Sequence, residues 1–309
     1  MPSAVVATAF GGPEVLSLIE IPRGTPGPGE VQLEVRASGV NPIDHKSYAR
    51  TGGDLSKLPM RLGYEGSGVV LAVGEGALGP AGAVRPGDAV IAYPAPGAYA
   101  TELVTKAANV LPKPAALSFE QAGGLLLTGI TAYQTLLVTN VVAGETVLVH
   151  GAAGGVGSMV VQLAVAAGAR VIGTAGESGH AELRELGAEP VSYGSGLAER
   201  IRSLAHQGID VAIDTVGTDE VIGTSLALVA DRERIATIAA GQRGSELGLK
   251  VVTDPGREGR AAAGLELLRL VGEGKVRVLI AATYPLSQVV EAHTALASGH
   301  THGKIILVP

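Results

Sequence analysis

A run of small residues, GAAGGVG at 151–157, lies between the apolar run Val147-Leu148-Val149 and an apolar helical pattern that starts at Val156. The chemistry open to such a run is anion binding by the main chain. Small side chains let the backbone reverse sharply, its N–H groups approach a pyrophosphate, and the following helix aims its positive end at that anion. Ala152 stands where the first glycine of G-x-G-x-x-G usually stands, and Gly154 and Gly157 hold the other two places. Ala153, Gly155 and Val156 complete the candidate phosphate-binding loop. The competing reading is a small-residue turn needed only for close helix–strand packing. Metal chemistry has little to draw on: the chain has seven histidines and no cysteine. Zinc asks for about three or four N, S or O ligands. His45, His150, His180, His206, His293, His300 and His302 show no ligand spacing, so no metal is expected; His300 and His302 read as solvated turn residues.

Strand and helix patterns alternate around the turn. Strands are expected at 147–149, 170–173, 190–192, 210–214, 234–239 and 249–253, and helices at 156–167, 180–186, 197–205 and 219–228. This alternation predicts a doubly wound parallel sheet of Rossmann type, with right-handed crossovers. The first third of the chain differs. Short strand patterns at 5–10, 16–21, 31–38, 69–73, 89–93 and 98–104 are separated by Gly/Pro turns, which predicts a β-rich, partly barrel-like domain. A short helix opens near Asp44, and Ser118-Phe-Glu-Gln121 has the form of a capping box. A helix at 258–271 leads out, and strands at 275–280 and 304–308 flank a helix at 286–297. The expected division is a catalytic domain at 1–118, a dinucleotide-binding domain at 119–271, and a return to the first domain at 272–309. A ligand cleft between the domains is expected.

Composition narrows the function classes. The net charge of −6 argues against nucleic acid and against an acidic membrane surface. With no cysteine there is neither a disulfide framework nor a thiolate site. The N-terminus has no basic region followed by an apolar block, so a cytoplasmic protein without a signal peptide is expected. Residues 122–144 carry no charge and are long enough to span a bilayer, but they hold six Thr, Asn or Gln side chains and glycine breaks. They read as a buried helix plus a loop.

Taken together, these pieces resemble the zinc-free medium-chain dehydrogenase/reductases of the quinone oxidoreductase type over nearly the whole chain. The resemblance rests on SGVNPID (38–44), LGYEGSGVVLAVG (62–74), VRPGDAV (84–90), AYATE (98–102), LSFEQAG (117–123), TGITAY (128–133), GAAGGVG, DTVG (214–217), PLSQVVEAH (285–293) and HGKIILV (302–308), in the family's order. It implies an α/β fold in which a Rossmann sheet is joined to a GroES-like partial barrel. It also implies hydride transfer from a reduced nicotinamide to a quinone or an α,β-unsaturated ketone or aldehyde. Zinc-dependent relatives have a Cys where Asn41 stands and a His where Tyr64 stands. Without a Lewis acid, reduction of an electrophilic acceptor is easier than alcohol oxidation. The resemblance also implies a homodimer joined through the edge of the nucleotide-domain sheet, with 249–253 the candidate edge strand here, against the alternative of an internal strand of a monomer.

Asn41 can hydrogen-bond the acceptor oxygen or the nicotinamide ribose, or act only as the turn residue before Pro42. Tyr48 and Tyr64 can line the acceptor pocket and supply a proton, or simply pack. Asp44 reads as a helix cap, Lys46 as a solvated charge and Glu65 as structural. Thr128 is placed near the nicotinamide or its phosphates, against the alternative of a buried helix hydroxyl. Lys304 can reach the cofactor or be an ordinary strand-end charge, and Val216 is placed along the cofactor. For the cofactor itself, NAD sites usually carry an acid about 20 residues past the glycines. Here the second strand ends at Thr174 without one. Thr174, Ser178, His180 and Tyr193 can surround a 2′-phosphate, with Arg243 adding charge, so NADPH is expected over NADH. His180 stands where relatives often have Lys, and Glu177 lies nearby. The alternatives are an NADPH-binding scaffold with little turnover and a pathway-specific enoyl reductase.

Overall fold

The computed structural model describes residues 1–49, 53–299 and 301–309; Arg50, at the end of the expected first helix, and His300 lie outside the described residues. The chain divides into two compact units, residues 1–127, 264–272 and 278–309 in one, and residues 128–263 and 273–277 in the other. The first therefore includes 119–127 and 264–272, beyond the boundaries read from sequence.

The first unit is β-rich. Its strands are β1 (Ser3–Ala7), β2 (Leu16–Glu20), β3 (Glu30–Val40), β4 (Met60–Arg61), β5 (Gly66–Val73), β6 (Leu78–Gly79), β7 (Gly82–Ala83), β8 (Ala89–Ala92), β9 (Glu102–Lys106) and β10 (Val110–Pro112), with β17 (Ile280–Pro285) and β18 (Lys304–Val308) from the C-terminal part. A seven-stranded sheet runs β10-β8-β5-β3-β18-β17, with β9 also paired to β3; β2-β1-β4 form a second sheet and β6-β7 a hairpin. One core holds Val31, Leu33, Val35, Val70 and Val90; another gathers Val5, Leu16, Val40, Leu286 and Ile305. Helix α1 (Pro42–Tyr48) follows β3 directly. Asn41 is its N-cap residue, and the Asn41 N–H donates to Asp44 Oδ2 at 2.8 Å. Asp44 is thus a capping-box residue. Ser118 and Gln121 make the reciprocal capping pair at the start of α2 (Phe119–Gly123). The helix α10 (Val289–Ala297) packs against this unit's strands.

The second unit carries a six-stranded parallel sheet of β11 (Thr146–His150), β12 (Arg170–Ala175), β13 (Ala188–Ser192), β14 (Val211–Asp214), β15 (Ile235–Thr237) and β16 (Lys250–Val251). Their order is β13-β12-β11-β14-β15-β16, the doubly wound arrangement, with its switch point between β11 and β14. Every residue of β11 is buried, as a central strand covered on both faces requires. Helices α3 (Leu126–Val138), α4 (Gly155–Ala166), α5 (His180–Glu185), α6 (Leu197–Leu204), α7 (Asp219–Leu228), α8 (Gly241–Glu246) and α9 (Gly256–Gly272) complete the chain. The uncharged stretch from 122 forms the helix α3, and no helix among the described residues is long and apolar enough to cross a membrane.

Two strand expectations move. Residues 275–279 alternate charged and buried apolar side chains but form no strand. The Gln162 side chain occupies the Arg277 backbone instead, accepting from its N–H at 2.8 Å and donating to its carbonyl at 3.1 Å. Pairing begins later, as β17. The strand expected at 98–104 starts only at Glu102, because Ala98 and Tyr99 give their N–H groups to Ala95 and Leu62 across a bend.

Candidate functional site

The nucleotide-type features all belong to the second unit. Gly151, at φ +71°, leaves β11, and a Cβ at Gly157 would lie 2.1 Å from the Gly151 carbonyl oxygen. Glycine at 157 is what lets α4 start this close to the strand. Gly154 is the extended N-cap residue of α4. Gly154, Gly155 and Val156 remain half-buried, whereas Ala152, Ala153 and Gly157 are buried. The accessible part of the turn is therefore the head of a twelve-residue helix, where an anion is stabilised. These residues fit the pyrophosphate of a dinucleotide.

Neighbouring loops are built by side chains that the main chain uses. Asp214 accepts from the N–H groups of Val216 and Gly217 at 2.7 and 2.8 Å and from Thr237 Oγ1 at 2.8 Å. It shapes the DTVG loop and leaves Val216 45% exposed. The role of Asp214 was not legible in the DTVG motif; its signal is an acid two and three residues before the N–H groups that it accepts from. Thr174, expected at a 2′-phosphate, is buried and accepts from the Gly151 N–H at 3.2 Å, so it fixes the turn instead. His150 is fully buried beside it, its Nε2 without a hydrogen-bond partner among the described residues, and burial pushes its pKa down to about 4 against the opposing pull of Asp214. His180 directs Nε2 to within 3.4 Å of the Ala175 carbonyl and 3.5 Å of Ser192 Oγ. Ser178 and Tyr193 are exposed, and the Tyr193 hydroxyl lies 3.6 Å from where a Gly176 Cβ would stand. Arg243 is paired with Asp219. Thr128 is buried on α3.

In the first unit, polar side chains gather beneath α1. The Lys304 ammonium reaches Asn41 Oδ1 at 2.5 Å, Glu65 Oε1 at 3.0 Å and the Val40 carbonyl at 3.3 Å. The Asn41 amide donates to Glu65 Oε1 at 3.0 Å and to the Gly39 carbonyl at 3.1 Å, and Glu65 Oε2 accepts from the Leu127 N–H at 2.9 Å. All three side chains are buried. An ammonium has three hydrogens and an amide nitrogen two, so these contacts use every donor of Lys304 and of the Asn41 side chain. Both residues, expected at the cofactor or acceptor, are committed to an internal network built on the Lys304–Glu65 ion pair. Removing one partner of such a pair costs about 3–5 kcal/mol, because the other is left charged and buried.

Tyr48, expected at the acceptor, is fully buried. Its hydroxyl lies 2.7 Å from His293 Nδ1 and 3.1 Å from His45 Nδ1. Burial, then the Asp44 charge, raises its pKa. Burial holds His293 down at about 4, helped by His45. Tyr99 donates to Asp44 Oδ2 at 2.9 Å, and burial raises Asp44 to about 7 even though this bond, the Asn41 N–H and Lys304 lower it. Tyr64 differs from Tyr48: it is half-buried, and its hydroxyl has no hydrogen-bond partner among the described residues.

Among the described residues, no group of three or more His, Cys, Asp or Glu is placed to hold a metal. The buried carboxylate of Glu65 already faces the Lys304 ammonium.

Comparison with known proteins agrees with this architecture. Residues 27–125 match the family described as "Alcohol dehydrogenase GroES-like domain", and 186–307 that described as "Zinc-binding dehydrogenase". The quinone oxidoreductase of Pseudomonas aeruginosa is 35% identical over 332 residues, covering 100% of both chains. A solved NAD-dependent alcohol dehydrogenase superposes with a TM-score of 0.89 at 31% identity over 99% of both chains. The mycobacterial protein Rv1454c, solved complexed with NADPH, gives 0.86 at 31% identity over 100% of both chains. With the doubly wound sheet, the small-residue turn and the GroES-like unit each in place, the chain belongs to the quinone oxidoreductase family of the medium-chain dehydrogenase/reductases.

Proposed function

We propose that the chain is an NADPH-dependent oxidoreductase that reduces a quinone or an α,β-unsaturated carbonyl compound. The observation that carries this reading is the turn at 151–157, a helix head left accessible at Gly154, Gly155 and Val156 at the switch point of a doubly wound sheet. The NADPH-complexed relative supports the choice of nucleotide, as does a second strand that ends at Thr174-Ala175 with no acid to bind a ribose 2′-OH. The nicotinamide supplies a hydride when bound, and the protein supplies binding, orientation and exclusion of water. Backbone N–H groups at the head of α4 hold the pyrophosphate. The loop set by Asp214 places Val216 along the nucleotide. Ser178, His180 and Tyr193 surround the 2′-phosphate.

Tyr64 is the phenol we assign to the proton that completes reduction, because its hydroxyl is unengaged among the described residues whereas that of Tyr48 is held by two imidazoles. The edge position of β16 supports a homodimer joined through that strand. Fluorescence titration with NADPH, followed by stopped-flow oxidation of NADPH in the presence of a benzoquinone, tests the reading. Micromolar binding and acceptor-dependent oxidation are expected. Tight binding without turnover across quinones and enals would favour a nucleotide-binding scaffold.

A further inference from the structure

A positioning device lies in the loop that follows β13, at the same carboxyl end of the parallel sheet as the turn that follows β11. Arg200, on the first turn of α6, sends its whole guanidinium back onto this loop. Nε and Nη2 donate to the Ser192 carbonyl at 3.3 and 2.8 Å, Nη2 also to the Gly194 carbonyl at 2.9 Å, and Nη1 to the Ser195 carbonyl at 2.6 Å. One planar fork thus gathers the carbonyls on both sides of Tyr193. The loop needs such a clamp, because Gly194 and Gly196 both have positive φ, at +102° and +78°, and neither brings a side chain to fix it. Tyr193 is 59% exposed and does not pack into the core, yet its hydroxyl is held over Gly176, with Ser178 Oγ 4.0 Å from the same point. A longer side chain at 176 would crowd that hydroxyl.

We propose that Arg200 is a specificity-determining positioning residue: by gripping the carbonyls of Ser192, Gly194 and Ser195 it holds the Tyr193 phenol beside Gly176 and Ser178, where it selects a nucleotide bearing a 2′-phosphate. The inference rests on the nucleotide reading above. Arg200 acts through geometry, so a lysine, which keeps the charge but lacks the fork, does not replace it.

The test uses the full chain. Dissociation constants for NADPH and NADH are measured by calorimetry for wild type, Arg200→Ala, Arg200→Lys, Tyr193→Phe and the double variant Tyr193→Phe/Arg200→Lys. Amide hydrogen exchange of residues 192–196 is followed without nucleotide. Both Arg200 variants should weaken NADPH about tenfold, the worth of one hydrogen bond to a charged group. NADH should change by less than about twofold, as for a surface substitution away from the ligand. Exchange in the loop should quicken, and Arg200→Lys should add nothing to the NADPH/NADH ratio of Tyr193→Phe. If the alanine variant does not fold, the lysine variant carries the test. Wild-type NADPH affinity in Arg200→Lys, or equal weakening of both nucleotides, would overturn the inference. A wild-type protein that does not prefer NADPH would instead sink the cofactor reading itself.

Discussion

Tyr48 and Tyr64 are the same residue type, on segments that both looked able to border an acceptor, and their surroundings separate them. Tyr48 is buried with its hydroxyl between two imidazole nitrogens, so Tyr48→Phe leaves those nitrogens short of a partner. The expected cost is about 1–3 kcal/mol of stability, read as a lowered denaturation midpoint, with kcat/KM changed by less than about threefold. Tyr64→Phe should do the reverse. It should leave the midpoint in place and lower kcat about a hundredfold, the lower range for loss of a general acid. If the two variants behave alike, the assignment of the proton to Tyr64 fails. This difference was not legible in the sequence. The partner of Tyr48 is His293, which is 245 residues away, and the engagement of Asn41 depends on Lys304, which is 263 away. Spacing within a motif says nothing about such pairs.

Elements were far more legible than side-chain partners. The turn at 151–157, the capping box at Ser118 and the βα alternation are local, and local patterns of period, cap and turn dictate them. The strand expected at 275–280 is instructive because its alternation is real: Val276 and Val278 are buried, but Gln162, on α4, takes the Arg277 backbone groups that a neighbouring strand would have used. The turn itself gives a graded prediction. A Cβ at Gly157 would meet the Gly151 carbonyl oxygen at 2.1 Å, whereas one at Gly154 would meet it at 3.3 Å. Gly157→Ala should therefore force α4 away from β11, costing about 1–3 kcal/mol and weakening nucleotide binding. Gly154→Ala should be tolerated in stability, and any loss should appear in the NADPH dissociation constant. Thermal unfolding with and without NADPH separates the two effects.

Over the whole molecule, buried titratable groups set the response to acid. His150 and His293, held at about 4, bind protons less readily in the folded chain than in the unfolded chain, where an imidazole titrates near its ordinary value of 6.5, so stability should rise with pH between about 4 and 6.5. Asp44, raised from 3.8 to about 7, pulls the other way, because the folded chain retains a proton that the unfolded chain has lost, and stability falls as pH rises through that window. Two histidines against one carboxyl leave a net rise. His293→Gln should flatten the slope by about 1.4 kcal/mol per pH unit, the linkage of one proton, in urea unfolding followed across pH 4–6.5. An unchanged slope would show that His293 does not govern this window.

The pairing of Lys304 with Glu65 and Asn41 also bears on how the chain is made. A ribosome releases the carboxylate of Glu65 long before the cation that neutralises it, and β18, which lies between β3 and β17, emerges after both of them. Residues 128–263, which hold most of the second unit, emerge before that strand does. Vectorial synthesis therefore favours an order in which the later-encoded unit matures first and the N-terminal unit closes only once β18 has emerged. A nascent chain stalled short of residue 304 would be left with an orphaned acid and an open sheet.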